Sequence, residues 1–592
     1  MPEPVFNTLV QEATAVPGSL ILQQGKKWLY FTNPLSVVAA HAAGEVEAAL
    51  LQVETAVNHH NLYAAGFMTY EAGAAYDLAV HAPHAEALPL LWFGLYAAPE
   101  EIEPPVGNGR YTLGKWQPAV NETAHATAIK QIKTTIANGN TYQVNYTFPT
   151  HAAFHGDPFS LYTDLIQIQE ADYTAYLDLG DYVICSATPE LFFKLDGDQI
   201  TAKPMKGTAV RGYTLGADKQ QITYLKNSPK NRAENVMIVD MIRNDIGRIA
   251  AVGTVEVPKL FDVERYPTLL QMTSTVTAQT HASIGEIMAA MFPCASITGA
   301  PKVRTMQIIN QLEPQPRGIY TGTIGLIAPG RQAQFNVAIR TVVVDRRQEL
   351  AAYHVGSGIV WDSDAAQEYA ECRLKAQVLF EKRPSFDLLE ALLWTPEDGY
   401  FLLDLHMARL AAAAEYFNYS LDAQAVRAKL TALAQTMSEP SKVRLILSRD
   451  GRYISQVGSL ESGSMVEPVR VGLAKEPVNS KTIWLYHKTT RREVYVNARA
   501  SRPDCDEVLL WNEHGELTEA GTSNIVLELD GDLFTPPVSS GLLAGTFREF
   551  LLGNGRIQER TLTIADLNRC EQIYLINSVR KWRRAELVNQ FK

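Results

Sequence analysis

Lys206 has the sequence surroundings that most resemble a reactive centre. It lies in Lys203-Pro204-Met205-Lys206-Gly207-Thr208. The proline before it and the Gly-Thr after it predict a strand end or tight turn with little side-chain cover. A lysine held there, away from bulk water and near other cations, can lose its proton and become a nucleophile; a solvated turn lysine would have the same local sequence. Carboxylates and glycines stand on both sides of it in the chain. Glu234 shares a helical face with Met237, Ile238 and Met241, and a carboxylate opening an apolar stripe must be paired, act near the helix dipole, or bind a metal. Glu368, Glu371 and Lys375 fall on one face of a helix capped by Asp364. Hard carboxylate oxygens on a rigid helix suit magnesium, and a lysine one turn on suits an anionic ligand; an exposed Glu-to-Lys pair is the alternative. Ser296 to Lys302 reads as a Thr-Gly turn whose backbone N–H groups could hold an anion. The glycines of Gly356-Ser357-Gly358 would let backbone approach a ligand closely. Gly541 to Thr546 opens a helix and offers a second anion seat.

The elements that position these residues follow from pattern. The 592 residues are enough for two large domains or about four small ones. Trp28 to Thr32 alternates as a strand, Ser36 to Val57 is Ala-rich and predicts a helix, and Asn121 to Ala137 predicts a helix ended by Asn138-Gly139-Asn140. Ser228-Pro229 starts a helix that should stop at Gly247. Ala351 to Val355 predicts a strand before the glycines. Lys382-Arg383-Pro384-Ser385 reads as a short linker, which divides the chain into 1–382 and 386–592. Beyond it, Leu402 to Phe417 is helical, Glu507 to Trp511 and Glu516 to Leu529 form a strand pair, and Gln572 to Ile576 is a last strand. The basic run Arg580-Lys581-Trp582-Arg583-Arg584 predicts a solvated face.

Composition excludes several classes. The net charge is −11 with basic residues scattered, so nothing favours nucleic acid. Five dispersed cysteines without a Cys-x-x-Cys argue for a reducing compartment and against zinc. The first residues lack a basic and apolar leader, and no long apolar window exists, so neither a signal peptide nor a membrane span is expected and the expected address is cytoplasmic.

Most of residues 60 to 380 resembles the chorismate-utilising enzymes, which include anthranilate synthase, isochorismate synthase and aminodeoxychorismate synthase component I. The motifs that carry this are Ser186-Ala187-Thr188-Pro189-Glu190, Pro204 to Thr208, Glu234 to Arg248, Ser296 to Lys302, Phe335 to Arg340 and Gly356 to Lys375. Lys206 resembles the aminodeoxychorismate synthases, because the other two groups usually carry a small residue there. The family's tryptophan-pocket string has no counterpart in this half. The resemblance implies an α+β fold of large antiparallel sheets flanked by helices. It also implies Lys206 as nucleophile and Glu190 as general acid. Mg2+ would be held by Glu234 and Glu371, with Glu368 through water. The ligand chorismate would be bound by Arg340 and Lys375, assisted by Thr298, Gly299, Ala300, Gly356 and Gly358.

Residues 386–592 look like the fold-type IV pyridoxal-phosphate enzymes, close to aminodeoxychorismate lyase, on Lys488-Thr489-Thr490-Arg491 and Thr518-Glu519-Ala520-Gly521-Thr522-Ser523-Asn524. The resemblance implies two α/β subdomains and pyridoxal 5'-phosphate carried by Lys488. Glu519 would face the pyridine nitrogen, and Thr546, Ser578 and Arg409 would face the phosphate. Related aminotransferases carry a tyrosine shortly after the lysine; here Glu493 takes that position, which leans away from transamination. The half is short for its family, which points to a homodimer through this domain. No cysteine lies in a glutaminase-like nucleophile turn, so ammonia is expected free or from a glutamine amidotransferase subunit. The expected whole is a bifunctional enzyme making 4-aminobenzoate from chorismate. The alternatives are an anthranilate-type synthase joined to an aminotransferase, and an inactive amidotransferase-binding partner.

Overall fold

The computed structural model describes residues 16–82, 88–378, 385–460 and 468–588. The chain forms two compact units: Met1–Val210 with Ile222–Arg383, and Arg211–Gln221 with Pro384–Lys592. The second unit therefore includes eleven residues that precede the Ser228-Pro229 helix start, which the division at the linker does not foresee. Lys382, Arg383 and Pro384 of that linker lie outside the described residues.

The first unit is built on two antiparallel sheets of eleven and ten strands among the described residues. Leu20, Leu22, Phe31, Leu177 and Ile184 from one sheet meet Ala65, Phe67, Tyr96 and Leu326 from the other in a single buried cluster, so the two inner faces pack together. Helices cover the outer faces. Val46–His60, Pro229–Gly247 and Ile284–Met291 bury apolar stripes on one side. Glu122–Ala137, Pro158–Gln169, Lys302–Leu312 and Ala365–Val378 do so on the other.

Local chemistry fixes the helix starts. The Asn121 side chain accepts from Ala124 N, Ser228 accepts from Asn231 N, and Asp364 accepts from Gln367 N, each satisfying a donor that the first helical turn leaves free. Pro229 occupies the first helical position.

Three expectations shift. Ser36 to Val57 is not one helix: Ser36–Ala40 is a strand and the helix begins at Val46. Paired valines and a neighbouring strand, Leu91–Tyr96, override the alanine content. The strand before the glycines does not stop at Val355. It runs Leu350–Ile359 through Gly356-Ser357-Gly358, paired along its length with Gln143–Gly156. Glu516 to Leu529 splits into Leu517–Ala520 and Asn524–Leu529 around a Gly521 turn.

The second unit holds a four-stranded antiparallel sheet backed by the helices Leu403–Phe417 and Ala423–Ala434, and an eight-stranded mixed sheet. In the latter, Val469–Leu473 runs parallel to both neighbours. The basic run is solvated at Arg580, Lys581 and Arg584; from Lys581 it belongs to Lys581–Leu587, an interior strand of that sheet, whose period turns Arg583 inward to 5 % exposure.

Candidate active sites

Lys206 stands on Met205–Val210, hydrogen-bonded to Leu269–Gln279. Met205 pairs with Thr273 and Thr208 with Gln271, so two residues on one strand oppose Met272 alone on the other. That is a β-bulge, and a bulge re-aims a side chain. Gly207 supplies the positive φ, 95°, that the bulge needs. Asn235, buried on the helix that carries Glu234, donates to the Lys206 carbonyl (3.4 Å) and accepts from Ser274 Oγ (2.6 Å). The bulge is thereby tied to Pro229–Gly247.

The amine meets a mixed set of charges. Burial pushes the Lys206 pKa down, Glu190 and Glu234 pull it up, Lys375 pushes it down and Glu371 pulls it up. The net direction is down, as a nitrogen nucleophile requires. Glu190 directly precedes the strand Leu191–Asp196 and is 3 % exposed. Burial raises its carboxyl to about 7, against the lowering effects of Ser296, Lys206 and the Met205 backbone. One of its oxygens, Oε1, has no hydrogen-bond partner within the protein, as befits an acid whose partner is a ligand.

The other expected residues divide. Glu234 is half-buried and Glu371 exposed, and both act on Lys206. Hard oxygens of this kind suit a cation such as magnesium that keeps several waters, which at Glu371 would replace the Lys375 ammonium bound there (2.7 Å); among the described residues no cluster of three His, Cys, Asp or Glu encloses a metal by itself. Glu368 is felt instead at His125 and Cys372. Lys375 is held by Glu371 (2.7 Å) and donates to Gly356 O (3.0 Å); this is the Glu-to-Lys pair named above as the alternative, and a ligand would have to displace it. Arg340 donates to Gln169, with Tyr266 and Tyr353 nearby. Thr298 is fully buried and turns its hydroxyl back to Cys294 O and Ala295 O. Gly299-Ala300 is not an open anion turn: it is a short strand paired with Val144 and Gln143. At Gly356 and Gly358 the missing side chains make room for the neighbouring strand. A Cβ on Gly356 would collide with Tyr146 O and Thr147, and one on Gly358 with Gln143 and Asn145.

In the second unit a cavity of about 1020 Å3 is lined by Lys488, Glu519, Thr546, Ser578, Arg409 and Arg492, among others. All five residues expected at the cofactor therefore converge. Burial and the cations Arg409 and Arg492 push the Lys488 amine down to about 8, against Glu390 and Glu519. Burial raises Glu519 to about 7, while Tyr495, Leu543 N, Lys488 and Arg492 lower it. Thr546 begins the helix Thr546–Gly553. Arg409 is bonded to buried Glu390 through both Nε (2.8 Å) and Nη2 (2.7 Å), so its guanidinium is fixed in direction. A buried amine, a buried carboxylate and fixed cations fit pyridoxal phosphate, which needs a lysine, a partner for its ring nitrogen and donors for its phosphate.

Glu493 points away, exposed and paired with Arg491 (3.0 Å). Two residues on, buried Tyr495 donates to Glu519 Oε1 (2.7 Å), where Leu543 N also donates (3.2 Å). Sequence spacing missed Tyr495, which lies seven residues after Lys488 and is aimed at the carboxylate. Two donors on one oxygen favour the ionised carboxylate. Tyr495→Phe removes one of them, and by the same balance the Glu519 pKa rises further above the usual carboxylate range. The expected outcome is a change in the absorption spectrum of the cofactor-loaded protein between pH 6 and 8, with an about 10-fold lower rate of the second reaction, the effect of roughly one hydrogen bond to a charged group. An unchanged spectrum across that range would show that Tyr495 does not tune Glu519.

Residues 98–381 match the model of the chorismate binding enzyme family, and residues 387–588 match that of class IV aminotransferases. The two matches follow one another along the chain without overlapping. The chorismate-binding region is similar to aminodeoxychorismate synthase component 1 of Salmonella typhimurium, 40% identical over 258 residues, 43% of this chain and 56% of that protein. It is also similar to the same component of Bacillus subtilis, 36% identical over 267 residues, 45% of this chain and 56% of that protein. The chain thus spans about half the length of these curated relatives. Over 62% of this chain and 93% of the other, the fold is similar to that of anthranilate synthase component I from Streptococcus pneumoniae TIGR4, with TM-score 0.52 and 22% identity. No described helix is long and apolar enough to cross a membrane.

Proposed function

We propose that the chain is a bifunctional enzyme that turns chorismate and ammonia into 4-amino-4-deoxychorismate and then eliminates pyruvate to give 4-aminobenzoate. The observation that carries the first half is the down-shifted amine of Lys206 beside the buried, near-neutral acid Glu190. Glu234 and Glu371 would hold Mg2+, which supplies charge neutralisation for the ring carboxylate. Arg340 supports the enolpyruvyl carboxylate. The Lys206 nitrogen forms a bond to the conjugated ring as the ring C–O bond breaks, and Glu190 gives its proton to the departing oxygen, which leaves as water. Ammonia then bonds to the carbon that lost the hydroxyl, and the electron pair of the Lys206 C–N bond returns to Lys206. An anthranilate-type reaction would not call on a lysine here. A glutamine amidotransferase partner would deliver the ammonia.

For the second half, pyridoxal phosphate supplies the ring that accepts electrons from the breaking C–H bond. Glu519 keeps the ring nitrogen protonated. Thr546, Ser578 and Arg409 bind the phosphate. Lys488 takes the proton from the amine-bearing ring carbon, the enolpyruvyl C–O bond breaks, and the ring becomes aromatic as pyruvate departs. No second amino acceptor is needed, and a homodimer through this region would complete a short domain. Both reactions belong to the cytoplasm.

The pH dependence of the first step tests the acid. Glu190 is raised to about 7, so its protonated form is present below that pH and lost above it. The kcat/KM for chorismate should therefore fall as pH rises through about 7. Glu190→Gln should lower the rate on the order of 10²–10⁴-fold and remove that limb; a Gln variant with the same alkaline limb would assign it to another group.

A further inference from the structure

The strand Gln143–Gly156 runs past Lys206 and presents Gln143 and Asn145 on one face. Asn145 Oδ1 accepts from the Lys206 ammonium or amine nitrogen (3.4 Å) and from Gln143 Nε2 (3.3 Å). Its Nδ2 donates to Ser296 O (2.9 Å). Its own backbone is pinned on both sides: the amide donates to Thr298 O (2.9 Å) and the carbonyl accepts from buried Arg317 Nη2 (2.8 Å). Both amide side chains are buried, and they lie over the bare Cα of Gly358, where a Cβ would strike them. Gly358 is thus a space for two side-chain amides. Apart from the Lys206 contact itself, the bonds that hold Asn145 come from Gln143, Ser296, Thr298 and Arg317, which carry no reacting atom.

We propose that Asn145, seated on Gly358 and braced by Gln143, is the positioning residue that aims the Lys206 nitrogen at the ring. This rests on Lys206 being the nucleophile. A neutral amine has one lone pair and two N–H bonds. An acceptor that takes one N–H confines the lone pair to the two remaining positions about the Cε–Nζ bond. An amide does this without adding charge. Lys206 is already faced by the acid Glu190, by the carboxylates Glu234 and Glu371 and by the cation Lys375. A further carboxylate at 145 would hold the proton on Lys206 to higher pH.

Two variants test this, with Lys206→Ala measured in parallel, each assayed for 4-amino-4-deoxychorismate formation from chorismate and an ammonium salt. Asn145→Ala should lower kcat on the order of 10²-fold, the cost of a misaimed reacting group, with KM for chorismate within about twofold. Asn145→Asp, which has the same shape, should move the acidic limb of the pH–rate profile to higher pH, because the added carboxylate favours the protonated lysine. It therefore carries the test even if the alanine variant folds poorly. If Lys206→Ala is inactive while Asn145→Asp gives the wild-type kcat and pH profile, Asn145 does not aim the amine and the inference is wrong. If Lys206→Ala remains active, the nucleophile itself is misassigned, and the positioning role falls with it.

Discussion

Replacing Lys206 by alanine should stop 4-amino-4-deoxychorismate formation while leaving conversion of supplied 4-amino-4-deoxychorismate to 4-aminobenzoate intact. The loss should be at least on the order of 10³-fold, because a covalent route through a nucleophile has no equivalent once the nucleophile is gone. Arginine at 206 should not rescue it, since a guanidinium keeps its proton. The second activity should stay within about twofold, because Lys206 belongs to the unit built on the two large sheets and Lys488 to the other. Equal loss of both activities would contradict two separate centres.

The second large effect is at Lys488. Lys488→Ala should leave chorismate consumption unchanged and cause 4-amino-4-deoxychorismate to accumulate, with 4-aminobenzoate down on the order of 10³-fold or more. A readout independent of turnover accompanies it: borohydride treatment of the loaded wild-type protein should fix the cofactor to the peptide containing Lys488, and the variant should retain none. The amine's position in the cavity with Glu519, Arg409 and Thr546, and its shift down to about 8, make it the group from which a proton can be lost near neutrality. Undiminished 4-aminobenzoate from the variant would remove Lys488 from that role.

Much of the site was legible before the fold was known, and the reason lies in local spacing. Lys206 between Pro204 and Gly207 announces a strand interruption, and the structure has a bulge there with Gly207 at positive φ. Ser228-Pro229 announces a helix start, and that helix carries Glu234 to Lys206. The five cofactor residues of the second unit also meet at one cavity. The losses are residues whose role depends on a partner far along the chain. Asn145 meets a lysine 61 positions away, Tyr495 a carboxylate 24 positions away, and Arg317 a carbonyl 172 positions away; no periodicity marks such pairs. Gly356 and Gly358 show a related limit. A glycine in sequence reports that something comes close, and only the register with Gln143–Gly156 shows that side chains of the neighbouring strand do so. Lys375 and Thr298 have partners within the protein that their motifs do not announce, Glu371 for the one and the Cys294 and Ala295 carbonyls for the other.

The most direct measurement is the product made by the purified chain from chorismate, an ammonium salt, Mg2+ and pyridoxal phosphate. Two lysine centres working in sequence give 4-aminobenzoate and pyruvate in equal amounts. Anthranilate as the aromatic product, or chorismate consumed without any aromatic amine, would contradict the account.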